Sequence, residues 1–260
     1  MRSDRDMTRM TSPEIAGAIA GGATTAIVVL GAQEQHGAHL PMATDSIWGE
    51  HLADLVARRL GGALVAPVVP VGFSPEHMRF PGTISLRAAT WGAVVDDYVA
   101  SLERHGFTRV VLICSHGGNI FPMVEQLPGL RERHAEVVVA AYTDLLEQVA
   151  ATAEVAARLG VTPSESGAHA GESETSMMLL VEPGSVHRDR EEPGYLGDLG
   201  PVLELINAEG IDAVAPNGIL GDPAKAAADH GRAYLERIAD LIVGHVAAVS
   251  AAGTDTRVPA

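Results

Sequence analysis

Three apolar runs predict an α/β domain with a mostly parallel central sheet flanked by helices on both faces. They occupy residues 24–30, 109–114 and 136–141, and each is bounded by turn or polar residues. Short runs that are apolar at nearly every position, without alternation, read as strands buried on both sides. Helical periodicity fills the intervals between them, and strand alternating with helix across short turns is the pattern of a covered parallel sheet. A chain of 260 residues can bury one large core. No Pro/Ser-rich linker divides it, so residues 1–249 read as a single domain and 250–260 as a C-terminal tail.

Taken in order, residues 13–20 predict a short helix closed by Gly21-Gly22, and the first strand follows at 24–30. Residues 45–59 predict a helix, with Ile47, Trp48, Leu52, Leu55, Val56 and Leu60 at helical spacing, Asp45 as its N-cap and Gly61-Gly62 as its stop. Residues 63–71 are apolar but hold two prolines, which predicts a strand of uneven pairing near a sheet edge. Residues 72–86 form a long loop rich in polar and turn residues, and such loops in compact domains are usually functional. A long amphipathic helix at 87–105 ends at Gly106.

The strand at 109–114 runs straight into Ser115-His116-Gly117-Gly118-Asn119. A helix at 120–134, interrupted near Pro128, a strand at 136–141 and a helix at 145–159 follow. Residues 177–181 are short enough for strand or helix, and the acidic residues just before them favour a helix N-terminus. Asp222 as N-cap and Pro223 at the first helical position predict a final helix over 224–248.

Composition excludes several classes. A net charge of −15 argues against nucleic acid and anionic membranes as partners. The single cysteine, Cys114, excludes an internal disulfide framework and fits a reducing compartment, so a cytoplasmic location is expected. The charged N-terminus lacks the apolar core of a signal peptide, and no run of 18 apolar residues offers a membrane span.

The densest chemistry lies at 33–45, Q-E-Q-H-G-A-H-L-P-M-A-T-D, directly after the first strand. Ligands of open α/β sheets bind beyond the carboxyl ends of the strands. Glu34, His36 and Asp45 are carboxylate and imidazole donors, a set that suits Zn²⁺ or Mn²⁺, with Fe²⁺ as a further candidate. E-x-H alone is a weak signal, and Asp45 as a helix cap is the bland alternative. Three ligand types packed after one strand end favour the metal. His116 follows a strand in the same way, but S-H-G-G-N reads equally well as a tight turn with a solvated histidine.

His169, Glu172 and Glu174 cluster at 165–176, where the two acids could equally oppose a helix dipole. His77 sits in the long loop. A phosphate loop is a poorer reading of the glycines, since the G-x-x-x-x-G-K-[ST] pattern is absent. No G-x-S-x-G context supports a serine hydrolase. Cys114, Met177 and Met178 read as core, and His187, His230 and His245 as surface or core residues outside the dense stretches.

Together, E-Q-H-G-x-H-L-P-x-x-T-D, E-H-x-x-F-P-G-T-x-S-L, H-G-G-N, H-A-G-E-x-E-T-S and G-x-x-G-D-P, in that order over roughly residues 24–235, resemble the creatininase (creatinine amidohydrolase) family. The resemblance implies a creatininase-like fold, two divalent metal ions per chain, a small-molecule amide substrate and a homo-oligomer, hexameric in creatininase itself. It implies that Glu34 and His116 bind one ion, His36 the other, and that Asp45 bridges both. Creatininases carry a glutamate where this chain has Gly118; Glu174 is the residue expected to replace it, with Glu172 as runner-up. Creatinine-binding members also use tryptophans near the His169 segment, whereas both tryptophans here, Trp48 and Trp91, lie elsewhere.

The activity so implied is hydrolysis of a C–N bond (amide, cyclic amide or formamide) by a metal-activated water. His169 is expected to transfer the proton, Glu172 to orient it or act as base, and His77, Gly117 and Gly118 to contact substrate. A metallopeptidase of the kind that matures mycofactocin, and a non-catalytic metal-binding scaffold, are the alternatives.

Overall fold

The structure is a computed structural model and describes residues 4–255. Four parallel strands form one sheet in the order β2-β1-β3-β4: β1 Thr25–Leu30, β2 Ala63–Val65, β3 Arg109–Cys114 and β4 Val138–Tyr142. The helices are α1 Ser12–Ala20, α2 Thr44–Leu60, α3 Ala88–Arg104, α4 Ile120–Arg133, α5 Leu145–Arg158, α6 Pro163–Ser166, α7 Glu172–Val181, α8 Leu203–Glu209 and α9 Ala228–Asp255.

Side chains alternate across a strand, and here each side meets its own layer of helices. Ile27, Val29, Val111 and Ile113 pack in one core with Leu52 and Val56 of α2, Val155 of α5, Met178 of α7 and Ile238 and Ile242 of α9. Ala26, Val28, Leu30, Val110 and Leu112 pack in the other with Trp91 and Val95 of α3 and Met123 and Leu127 of α4. All of β1 is buried, which is why its sequence shows no polar alternation. Among the described residues no helix is long and apolar enough to cross a membrane.

Several boundaries differ from the sequence reading, each for a local reason. The apolar run at 63–71 pairs as a strand only over Ala63–Val65, on the sheet edge. Beyond it Pro67 and Pro70 lack the N–H a ladder needs, and Val69 makes a single bridge to Leu30. Asp45 is not the N-cap of α2. That place belongs to Ala43, Thr44 Oγ1 donates to Pro41 O, and Asp45 is buried within the first turn. Helix α4 continues through Pro128 without interruption.

Residues 177–181 are the second half of α7, which opens at Glu172. At the C-terminal end, Asp222 caps a 3-10 turn, Pro223–Lys225. Ala226 then adopts an extended conformation, so the last helix starts at Ala228 and runs to Asp255, past residue 250 where the sequence reading begins its tail. The remainder of that tail, 256–260, lies outside the described residues.

The register places the site. Leu30 at the end of β1 pairs with Cys114 at the end of β3. The segments that follow, carrying Glu34 and His116, therefore emerge side by side at the carboxyl edge of the sheet.

Candidate metal centre

Four segments converge beyond the ends of β1 and β3. Glu34 and His36 come from the β1–α2 connection and Asp45 from the first turn of α2, His77 from the 72–86 loop, His116 from the end of β3, and His169 and Glu174 from the turn before α7 and its first turn. Glu34, His36, Asp45, His77, His116 and His169 are all buried. Among the described residues their donor atoms, with those of Glu76 and Glu174, form four groups, of which Glu34/His36/His169 and Glu34/Glu76/His77 share Glu34 and the other two share Asp45. Of those sharing Asp45, one is Glu34, Asp45 and His116 and the other His36, Asp45 and Glu174, with the ligand atoms of each within 4.8 Å of one another. Asp45 spans both: Oδ2 lies 3.8 Å from His116 Nδ1 and Oδ1 lies 3.5 Å from His36 Nε2.

Both histidines turn one ring nitrogen inward because the other is engaged. His36 Nδ1 donates to the Glu34 carbonyl at 3.2 Å, leaving Nε2 facing Asp45 and, at 3.7 Å, Glu174 Oε2. His116 Nε2 donates to Phe73 O at 3.0 Å, leaving Nδ1 3.1 Å from Glu34 Oε1. An outer N–H fixed by a carbonyl is the usual posture of a metal-ligating imidazole. Glu174 is aimed by the backbone. Ala170 has φ 53°, in the left-handed region, and its N–H donates to Glu174 Oε2 at 2.6 Å.

The donor set fits divalent cations. Both oxygens of Glu34, Nε2 of His36 and Oδ2 of Asp45 are buried without a hydrogen-bond partner, a costly state that a bound cation relieves. Around these carboxylates the charged partners among the described residues are histidines. No sulfur takes part: Cys114 is buried and burial pushes its thiol up to about 12. In the metal-free protein burial and neighbouring charges pull these groups in opposite directions. Burial opposes ionisation of Glu34, yet His116 and His77 outweigh it and hold that carboxyl well below the ordinary range.

Burial likewise opposes the charge on His36 and His116. Asp45 nevertheless raises His36 to about 9, and Glu34 raises His116 to about 10. Burial lifts Asp45 and lifts Glu174 to about 7.

His169 and His77 are held differently, through Gln35. The Gln35 amide nitrogen lies 2.9 Å from Gly218 O, a contact only N–H can make, so its second hydrogen is available to His77 Nδ1 at 3.0 Å. His77 therefore carries its hydrogen on Nε2, which faces Glu34 Oε1 at 3.6 Å; burial lowers this ring to about 4. His169 Nε2 donates to Gln35 O at 2.7 Å, so its Nδ1 lone pair faces Glu34 Oε1 at 3.7 Å. Burial, then His36 and His77, keep His169 neutral, well below the ordinary histidine value. Gly218, at φ 76°, leaves the room Gln35 needs, since a Cβ there would lie 2.2 Å from Gln35 Oε1.

Glu172 stands apart from the cluster and departs from its expected place beside His169. Its Oε1 accepts from Ser176 at 2.8 Å and from His230 Nδ1 at 2.7 Å, and its Oε2 accepts from Tyr234 at 2.6 Å. This carboxylate ties α7 to α9. His77 lies inside the cluster rather than at a substrate-facing rim. Gly117 lines a cavity of about 160 Å³ that reaches Glu174 and is walled by Trp48, Ile120, Val149 and Met177; Gly118 packs against the 72–86 loop.

Sequence reasoning missed three residues here. Gln35 sits between two ligand candidates, Glu76 directly precedes His77, and His39, buried, bonds Thr175 Oγ1 through Nε2 at 2.9 Å.

Known proteins resemble this chain over most of its length. The creatininase family profile, described as creatinine amidohydrolase, matches residues 8–246. A mycofactocin precursor peptide peptidase of Mycobacterium ulcerans (strain Agy99) is 32% identical over 229 residues, covering 85% of this chain and 84% of that protein. A creatinine amidohydrolase of Pseudomonas putida is 34% identical over 195 residues, covering 70% and 73%. Among solved structures, one titled creatininase Mn superposes with a TM-score of 0.71 at 30% identity, covering 93% of this chain and 97% of that one. A creatininase variant of Zn-Zn type gives 0.74 at 28% identity, covering 94% and 97%.

Proposed function

The chain belongs to the creatininase family of hydrolases, and on that premise we propose that it cleaves an amide C–N bond at a centre of two divalent ions, with a short peptide as substrate. The observation that carries this reading is Asp45, whose two oxygens face two separate donor groups, Glu34/His116 and His36/Glu174. Zn²⁺ and Mn²⁺ both suit carboxylate and imidazole donors, and creatininase structures of both forms are similar to this chain. When bound, such ions supply Lewis acidity and lower the pKa of water toward ~7.

The chain's own residues do the rest. Glu34 and His116 would hold a first ion, His36 and Glu174 a second, and Asp45 stands between the two groups. His169 presents a neutral Nδ1 to the centre while its Nε2 is anchored on Gln35 O. A neutral imidazole so placed takes the proton from the attacking water and returns it to the leaving nitrogen. The cavity of about 160 Å³ beside Glu174 admits one small group, and its walls of Trp48, Ile120, Val149 and Met177 favour an apolar one.

A peptide substrate is supported by the peptidase relative at 32% identity. A cyclic amide is the second reading, favoured by the creatinine amidohydrolase relative at 34% and by Trp48, which lines the cavity despite lying far from the His169 segment in sequence. Metal analysis of the purified protein, followed by hydrolysis assays of the loaded protein on short peptides, cyclic amides and formamides, tests the proposal. Release of a free amine from peptides alone supports the first reading and ring opening the second. Metal binding without turnover of any of the three classes would leave a scaffold and overturn the enzyme.

A further inference from the structure

His116 presents Nδ1 to the centre, and its other nitrogen meets three oxygens from one four-residue stretch of the 72–86 loop. Phe73 O lies 3.0 Å from Nε2, Ser74 Oγ 3.1 Å and Glu76 Oε1 3.5 Å. The start of the stretch is anchored twice. Phe73 N donates to Asn119 Oδ1 at 2.9 Å, and Asn119 in turn donates to the carbonyls of Leu30 and Gly31 at the end of β1. Ser74 N donates to Ser85 Oγ at 2.8 Å. Glu76 Oε1 also lies 3.7 Å from His77 Nε2, so one carboxylate faces the Nε2 atoms of two histidines of the centre.

Gly118 makes the approach possible. A Cβ on residue 118 would lie 2.3 Å from His116 Nε2, 2.5 Å from Phe73 O and 2.8 Å from Glu76 Oε1. The space that any side chain at 118 would need is the space through which the loop reaches His116. The missing side chain at 118 and the carboxylate at 76 are therefore one arrangement, built from segments 42 residues apart in sequence.

We propose that Glu76 is a positioning residue for the first metal position: it faces the outer nitrogen of His116, holds Nδ1 toward Glu34 and Asp45, and adds a negative charge beside the ion. The inference rests on the metal centre of the preceding section. A carboxylate behind a ligating imidazole orients the ring and raises its basicity, and removing one typically costs 10–100-fold in metal affinity. Glu76→Gln keeps an acceptor and loses the charge, Glu76→Ala loses both, and Glu76→Asp keeps the charge on a shorter arm.

The test is titration of the metal-free variants with Mn²⁺, following free and bound ion by electron paramagnetic resonance, alongside thermal melting without metal. In Glu76→Gln one of the two Mn²⁺ affinities is expected to fall by about 10–100-fold while the other holds. Glu76→Ala falls further and Glu76→Asp recovers part of the loss. The metal-free melting temperatures stay at the wild-type value. Unchanged affinities at both positions in Glu76→Ala overturn the inference, as does a melting temperature that drops with the affinity, which would make Glu76 a packing residue. Wild-type protein that binds no Mn²⁺ and no Zn²⁺ instead overturns the metal centre itself, before any variant is compared.

Discussion

His116 Nδ1 stands 3.1 Å from Oε1 of Glu34, a contact between the ends of two adjacent parallel strands that are 84 residues apart in sequence at their closest registered pairs, Thr25 with Arg109 and Leu30 with Cys114. In the metal-free protein it is a buried ion pair, and each partner favours the charged form of the other. The separation also suits two ligands of one cation, since Zn–N and Zn–O distances of about 2.0–2.2 Å place neighbouring donors roughly 3 Å apart. The contact that stabilises the metal-free centre is thus the one a metal would replace.

Asp45 is the residue on which the binuclear reading stands. Asp45→Ala removes the carboxylate whose two oxygens face His36 and His116 separately and is expected to abolish retention of both ions, measured as metal per chain after gel filtration. Asp45→Ala that still holds two ions would reduce Asp45 to a buried polar residue of α2.

Metal binding should release protons. His36 at about 9 and His116 at about 10 are protonated at pH 7 in the metal-free protein, and a ligating imidazole must be neutral. Calorimetric titration in buffers of different ionisation enthalpy is expected to show net proton release at pH 7, shrinking as pH rises through about 9 to 10. Both folded-state values lie above that of an unfolded histidine. Their stabilising contribution is therefore complete below roughly pH 6.5 and is lost through those values as pH rises. The melting temperature of metal-free protein should carry this loss, and metal-loaded protein should not.

The sequence exposed the parts of this site that depend on local order. A buried strand with a carboxylate and an imidazole beyond its end marks Glu34 and His36, and a second such strand marks His116. Spacing could also have separated Glu172 from Glu174. On a helix two residues span about 200°, so the two carboxylates take opposite sides, and the structure sends one toward α9 and the other toward His36. Gln35 and Glu76 were not legible, because each acts on segments that only folding brings near it: Gly218 and His169 for the first, His116 for the second. The edge strand was overread because apolar composition survives where Pro67 and Pro70 prevent pairing.

Proton transfer is the role proposed for His169, whereas its place in a donor group with Glu34 and His36 would also allow it to bind metal. His169→Ala is expected to keep both ions and to lose roughly 10²–10⁴-fold in turnover, the usual worth of general acid–base catalysis. Its Nδ1 lies 3.7 Å from Glu34 Oε1, close enough that loss of an ion in the variant would make it a ligand instead. Metal content and rate measured on the same preparation decide between the two.

Glu172 and Glu174 separate fold from chemistry within one turn of α7. Glu174 Oε2 faces His36 Nε2 at 3.7 Å and is held by the Ala170 N–H, so Glu174→Gln is expected to weaken one ion and spare the other, with the fold intact. Glu172 is fully buried and accepts from Ser176, His230 and Tyr234. In Glu172→Gln an amide N–H must face one of these donors, and an unsatisfied buried pair costs about 1–3 kcal/mol. That variant should melt several degrees lower and still bind two ions once folded. Melting curves and metal stoichiometry on both variants give opposite signatures if the two carboxylates divide their roles in this way. Loss of one ion in Glu172→Gln with an unchanged melting temperature would exchange them.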